Sequence, residues 1–142
     1  MRLSLHKGGV RPDKLGDKGR HYCRYALVVH DGAFGAESVI QPAYAFNYSP
    51  VVHTGAEETQ SLVKVGASNV IIETVKPCED AQNAYILRLY EAAGDYARTA
   101  LTFDHPVKAV YDCNMLEEEK SAIDPAELTF KPFQIRTIKI CY

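Results

Sequence analysis

The segment Asn83-Ala84-Tyr85-Ile86-Leu87-Arg88-Leu89-Tyr90-Glu91 decides the fold class, because it alternates with the period of a β-strand. Successive side chains of a strand point to opposite sides, so Tyr85, Leu87 and Leu89 share one face and the residues between them share the other. Gly94 follows closely and favours a turn. The segment therefore predicts a strand that ends in a reversal of the chain.

Five other segments have a similar pattern and end at turn-forming residues, namely residues 69–76, 97–103, 107–113, 127–130 and 133–140. Six short strands at this spacing are typical of an antiparallel sandwich. No long helical pattern separates them, so a parallel α/β sheet is not expected.

Residues 1–60 show a mixture of strand, loop and helix patterns in place of a regular series of short strands. Arg2–Leu5 is a short strand candidate, residues 8–19 form a Gly-rich loop, and His21–His30 reads as a long strand. The spacing of apolar residues in Phe34–Phe46 favours a short helix that starts before Pro42 and is kinked there, since proline removes a backbone donor.

These patterns together predict a mainly β protein, an antiparallel β-sandwich with one short helix near residues 34–46. We expect a single β-sandwich unit over residues 1–142, with an N-terminal part at residues 1–60 and a short-strand part at residues 61–142.

Composition excludes several classes of function. The chain has 142 residues, and its 16 basic and 18 acidic residues nearly balance, so no basic field favours nucleic acid. No apolar run is long enough for a signal peptide or a membrane span. The four cysteines form no C-x-x-C pair. Reduced cysteines in a cytoplasmic protein are the expected interpretation.

The chain contains no local motif that carries catalysis or binds a metal. Its five histidines form no H-x-H or H-E-x-x-H pattern, and no G-x-S-x-G elbow, P-loop or G-x-G-x-x-G is present. Acidic pairs would be needed for sugar hydrolysis, but Glu57-Glu58, Glu79-Asp80 and Glu117-Glu118-Glu119 read as solvated turns beside strand ends. We expect no catalytic residue, no metal ligand and no cofactor in this chain.

Tyrosines offer an alternative as stacking platforms for a sugar, since the chain has no tryptophan. The candidates are Tyr22, Tyr48, Tyr90, Tyr111 and Tyr142. The opposing interpretation is that tyrosines on strands are half-buried packing residues with a hydrated hydroxyl.

Six segments, in order along nearly the whole chain, resemble the C-terminal β-sandwich region of glycoside hydrolase family 38 α-mannosidases, in particular the branch with cytosolic and bacterial members. They are Pro12-Asp13 with Asp17, Gly19 and His21 leading into Tyr25-Ala26-Leu27 and His30; Ala43-Tyr44-Ala45-Phe46-Asn47; Val70 to Pro77 with Glu79-Asp80; Ile86-Leu87-Arg88-Leu89-Tyr90-Glu91; Asn114-Met115-Leu116-Glu117; and Lys131 to Thr137. The sequence departs from the family at Leu5 to Gly9 and at Gln134, which replaces the usual acid.

The resemblance implies a noncatalytic β domain that supports the catalytic domain of a retaining, zinc-dependent enzyme acting on α-mannosides. Zinc and the nucleophile would belong to that catalytic domain, so this chain alone is expected to be inactive. By the same resemblance Asp17, Lys18, Gly19 and His21 are substrate-proximal in the intact enzyme. The ordinary alternative is a Gly-rich loop whose aspartates cap their own backbone.

The expected partners are therefore that catalytic domain and a mannose-containing glycan, with no nucleic acid and no membrane. Two other functions stay open at this point. One is a free-standing carbohydrate-binding module, and the other is a β-sandwich protein-interaction domain.

Overall fold

The computed structural model describes residues 3–9, 11–52, 54–55 and 61–142. Its described residues contain a π-helical turn at Ala36–Ile40, one α-helix and nine strands. The helix α1 is Gln41–Asn47, and the strands are β1 Val63–Val65, β2 Val70–Pro77, β3 Ala84–Glu91, β4 Ala97–Thr99, β5 Leu101–Phe103, β6 Ala109–Cys113, β7 Glu119–Ala122, β8 Leu128–Phe130 and β9 Ile135–Cys141.

One five-stranded antiparallel sheet has the order β2-β3-β9-β6-β7. Strand β3 lies beside β9 with Leu87 opposite Ile138, as the alternating segment requires. Two further antiparallel pairs are β1 with β5 and β4 with β8. The mainly β, antiparallel sandwich predicted from the sequence is confirmed.

The core lies between the large sheet and the two strand pairs. Leu87, Leu89 and Ile138 are fully buried on the inner face of the sheet and form one cluster with Leu128 and Phe130 of the opposite layer. Burying a Leu, Ile or Phe side chain contributes about 1.5–3 kcal/mol each, so this cluster is a major source of hydrophobic stabilisation for the sandwich.

The outer face of the large sheet is covered in part by loops. Ile86 and Ala84 are buried there against Cys78. The segment after β6 also lies on this face, where the Met115 sulfur contacts the Thr137 hydroxyl. The Met115 carbonyl accepts a hydrogen bond from Arg88 Nη2 at 3.3 Å.

The short helix predicted near residues 34–46 is confirmed, but Pro42 lies in the first turn of the α-helix and not in its interior. The chain first makes the wide π-turn, in which the Ile40 and Gln41 N–H groups donate to carbonyls five residues earlier, and Pro42 then falls in the first turn of α1. Its missing donor costs nothing at that position, which explains why the helix continues through it.

The strand predicted at His21–His30 is wrong for the described part of the chain, because these residues pair with no other strand there and are all exposed. A strand is stable only with a partner, which local pattern cannot supply. The prediction at Arg2–Leu5 lies partly outside the described residues, and Leu3–Leu5 is not a strand.

The strand predicted at residues 97–103 is divided in two. Ala97–Thr99 pairs with β8 and Leu101–Phe103 pairs with β1, so Ala100 marks a change of partner. The single-unit division of residues 1–142 stays a prediction.

Candidate functional site

The loop before residue 21 is shaped by its own backbone. The Leu15 N–H donates to Asp13 Oδ1 at 2.8 Å, and the Gly16 N–H donates to the Asp13 carbonyl at 3.3 Å. The Lys18 N–H donates to the Leu15 carbonyl at 3.1 Å, which adds a second turn. Asp13 therefore acts as a turn residue, as aspartates in Gly-rich loops commonly do.

The predicted substrate-proximal residues come together at the end of this loop. His21 Nε2 lies 2.8 Å from the Asp17 carbonyl oxygen, and Asp17 itself has a positive φ of 58°. Gly19 has a φ of 141°, a conformation that a side chain disfavours. The loop thus fixes Asp17, Lys18, Gly19 and His21 within one tight bend.

Two residues that the sequence pattern did not single out complete this bend. The His6 ring lies 4.5 Å from the His21 ring, centroid to centroid. A Cβ added to Gly8 would come within 3.1 Å of Asp17 Cβ, so a side chain there would require the two segments to shift by a few tenths of an ångström. The departure of residues 5–9 from the family pattern was the only signal that pointed to them.

The bend presents polar groups to solvent. Asp17, Lys18, Gly19 and His21 are all exposed. Among the described residues no hydrogen bond or ion pair engages the Asp17 carboxylate or the Lys18 ammonium. Such groups can accept and donate hydrogen bonds to the hydroxyls of a sugar, but an exposed carboxylate without an activating neighbour is not arranged as a general acid.

No group of three or more His, Cys, Asp or Glu side chains within the described ranges could hold a metal ion. The zinc ion that the resemblance implies does not fit the residues described here. Its expected place in a separate catalytic domain stays a prediction.

One buried carboxylate, Glu91, closes a turn of the sandwich. Its two oxygens accept hydrogen bonds from the backbone N–H groups of Ala93, Gly94, Asp95 and Phe133 at 2.8–3.2 Å and from the Asn69 side chain at 3.0 Å. Burial opposes ionisation, but these donors outweigh it and hold the pKa of Glu91 below its ordinary value. An ionised, saturated carboxylate of this kind is structural.

A second buried carboxylate corrects the interpretation of the acidic run at residues 117–119. Glu117 is buried, pairs with Lys76 across the outer face of the sheet and accepts the Glu79 N–H at 3.1 Å. The bond from Lys76, stronger than the opposing effect of burial, lowers the pKa of Glu117. Glu79 and Asp80 are exposed as predicted, and Glu57-Glu58 lies outside the described residues.

The candidate tyrosine platforms do not share one surface. Tyr22 is exposed beneath the Arg20 guanidinium, which lies 5.0 Å from its ring centroid. Tyr48 stacks on Tyr44, whose hydroxyl lies 3.3 Å from that of Tyr90. Tyr90 contacts Tyr44 through its hydroxyl and so joins β3 to α1, whereas Tyr48 contacts Tyr44 through its ring.

An aromatic groove of about 480 Å³ lies at one end of the sheet and is lined by Leu62, Val75, Lys76, Pro77, Gln82, Ala84, Tyr85, His105 and Tyr142. The His105 ring packs edge-on against Tyr142 at 5.7 Å and its Nδ1 bonds Asp104 at 2.9 Å. Burial raises the pKa of Tyr85 to about 12. The rings pack against each other and do not form a flat open platform.

Large apolar side chains are exposed throughout residues 3–52. The most exposed include Leu15, Tyr22, Tyr25, Leu27, Val29, Phe34, Val51 and Val52, and Val29 is 88% exposed. Clusters of exposed apolar side chains commonly mark an interaction surface. The described residues contain no helix long and apolar enough to cross a membrane.

Residues 69–138 match the model of the glycosyl hydrolases family 38 C-terminal β-sandwich domain. The chain is 34% identical to human α-mannosidase 2C1 and 33% identical to the mouse α-mannosidase 2C1, in each case over 97% of this chain. It is also 24% identical to an α-mannosidase of Saccharomyces cerevisiae over 100% of this chain. The chain spans only 14% of the length of the two mammalian relatives and 16% of the yeast one.

Proposed function

We propose that the chain is a noncatalytic β domain of an α-mannosidase, because residues 69–138 match the model of the glycosyl hydrolases family 38 C-terminal β-sandwich domain. The observation that carries the proposal is the alignment with α-mannosidases over 97% of this chain. In this role the domain supports a separate catalytic domain that acts on α-mannosides.

The use of the buried acids supports a noncatalytic role. A retaining glycosidase needs two carboxyl groups about 5–5.5 Å apart at an open site, one of them able to hold a proton. Glu91 is saturated by backbone donors, and Glu117 is paired with Lys76. Both have a lowered pKa, which is the opposite of what a general acid requires.

The exposed apolar side chains of residues 3–52 support a partner domain. Covering them would remove apolar surface from water, which favours association by roughly 25 cal/mol for each Å² buried. A catalytic domain of the same enzyme is the partner that accounts for this surface and for the remaining length of the relatives.

Contact with the glycan is assigned to the bend at Asp17, Lys18, Gly19 and His21. Its turns hold these polar groups in place before a ligand arrives, and preorganisation lowers the entropy lost on binding. The aromatic groove is a weaker candidate, because its His105 and Tyr142 rings pack edge to face.

A cytoplasmic location is part of the proposal. The four cysteines, which all lie in the described residues, are free thiols, and two of them are buried. Reduced cysteines are usual in the cytoplasm.

The substitution Asp17→Asn in the complete mannosidase tests the proposed glycan contact. Loss of one charge-assisted hydrogen bond to a sugar hydroxyl costs about 1.5–3 kcal/mol, so kcat/KM should fall about 10- to 100-fold. Asp31→Asn is the matched control, since Asp31 is equally exposed but lies outside the bend. An unchanged kcat/KM in Asp17→Asn would remove the bend from the substrate site and leave the supporting role intact.

A further inference from the structure

The segment from His21 to His30 has the sequence of a strand but pairs with no strand among the residues that the structure describes. Among the described residues, none of its backbone N–H or carbonyl groups takes part in a backbone–backbone hydrogen bond, and every residue is exposed. Ten consecutive backbone units without partners form an edge that is ready to pair with another strand. This segment is the longest of its kind in the described part of the chain.

The two faces of the segment differ in chemistry. In an extended chain Cys23, Tyr25, Leu27 and Val29 point to one side, and all four are exposed. The opposite side carries Tyr22 and Val28, which are also exposed, and Arg24, which stacks 4.6 Å from the Phe46 ring centroid of α1. The first face is therefore the more continuously apolar one, and the second contacts the chain's own helix through Arg24.

Helix α1 connects this segment to the sandwich. Arg24 packs on Phe46, and two residues earlier in α1 the Tyr44 hydroxyl lies 3.3 Å from the Tyr90 hydroxyl of β3. The hydrogen bond to Tyr90, followed by burial, raises the pKa of Tyr44 to about 12. A strand docked elsewhere would thus be tied to the sandwich through one helix.

The family match separates the segment from the sandwich domain. The matched model begins at residue 69, whereas the human relative aligns over 97% of the chain. Residues 21–30 are therefore mannosidase-like sequence that lies outside the C-terminal sandwich domain. The natural occupant of their free edge is a sheet in the much longer remainder of such an enzyme.

We propose that residues 21–30 form a β-strand that adds to the edge of a sheet in another part of the mannosidase, with Cys23, Tyr25, Leu27 and Val29 facing its apolar core. The inference rests on the proposed function, and it names the docking element of that function. Main-chain hydrogen bonds provide affinity in strand addition, and the alternating side chains provide the register. If the proposal is correct, residues 21–30 belong to a different structural unit from the sandwich, and residues 1–142 do not form a single unit.

Hydrogen–deuterium exchange measured by mass spectrometry tests this proposal. Peptides covering residues 21–30 should exchange freely in the 142-residue chain and about 100-fold more slowly in the complete mannosidase, because pairing protects amides. Peptides within β3 should be protected in both and serve as the internal reference. Equal exchange of residues 21–30 in both samples would overturn the proposal.

A second copy of the chain is the competing occupant. Protection in the isolated chain that rises with its concentration would assign the edge to self-association and would also overturn the proposal. Mannosidase activity of the complete enzyme is read separately in the same samples. Strand addition can therefore fail while the proposed function stands.

A pair of neighbouring substitutions gives a second readout. Leu27→Asp places a charge on the apolar face and should lower the Tm of the complete enzyme and release the protection of residues 21–30. Ala26→Asp places the same charge on the opposite face and should leave both unchanged. Equal effects of the two substitutions would contradict the assigned faces.

Discussion

Two buried glutamates in this protein have structural roles that the neighbouring residues in the sequence do not indicate. Glu91 looks like the polar end of a strand, yet it gathers the N–H groups of a turn and of a distant loop. Glu117 belongs to an acidic run that is typical of a solvated turn, yet it is buried against Lys76. In both cases the decisive donors are remote in sequence, so local pattern could not identify them.

At the residue scale we predict that Glu91→Gln lowers the free energy of unfolding by about 3 kcal/mol near pH 7, because buried N–H donors lose their charged acceptor. The pKa of Glu91 is lowered in the folded state, so its ionisation stabilises the protein above the unfolded pKa of about 4.3. That contribution is lost as the pH falls through the folded-state value. The difference between the two proteins should therefore shrink below about pH 4 in urea titrations.

The matched control for Glu91 is Glu127→Gln, which removes an exposed ion pair with Arg98. Exposed pairs contribute about 0–1 kcal/mol, so this variant should unfold nearly as the parent does. A similar loss in both variants, or a difference that does not depend on pH, would refute the structural role of Glu91.

At the element scale, strands with clear patterns were predictable and their partners were not. Residues 69–76, 83–91 and 133–140 alternate or carry β-branched runs, and each became a strand of the large sheet. The segment at residues 21–30 is patterned as strongly but has no partner here. The short strands β1 and β7 were missed, since three or four residues carry too little pattern.

The turn after β3 offers a test at the same scale. Gly94 has a φ of 77°, and a Cβ there would lie 2.6 Å from the Phe133 ring. Gly94→Ala should lower the free energy of unfolding by about 2–3 kcal/mol, partly through backbone strain and partly through this clash. Chemical denaturation would measure the change.

A double substitution separates the two causes. Phe133 is 70% exposed, so Phe133→Ala alone should cost little. Gly94→Ala combined with Phe133→Ala should recover the part due to the clash and retain about 1 kcal/mol of strain. Strictly additive losses would show that the ring does not limit this turn.

At the scale of the whole molecule, the sandwich and the N-terminal part differ in the burial of their apolar side chains. The sandwich buries its apolar residues and uses its buried acids internally, whereas residues 3–52 expose theirs. The sequence pattern predicted the sandwich and the Gly-rich loop before residue 21, whereas the substrate proximity of residues 17–21 stays a prediction. It could not predict that residues 21–30 are exposed in the described structure, because local pattern does not specify the partner of a strand.

The measurement that most directly tests the central claim is reconstitution of α-mannosidase activity from two parts. The purified chain, the separately produced remainder of the mannosidase, and their mixture would each be assayed with zinc and a synthetic α-mannoside. We predict no turnover by the chain alone, weak turnover by the remainder, and a large gain in the mixture. Turnover by the chain alone, or full activity of the remainder without it, would contradict the account.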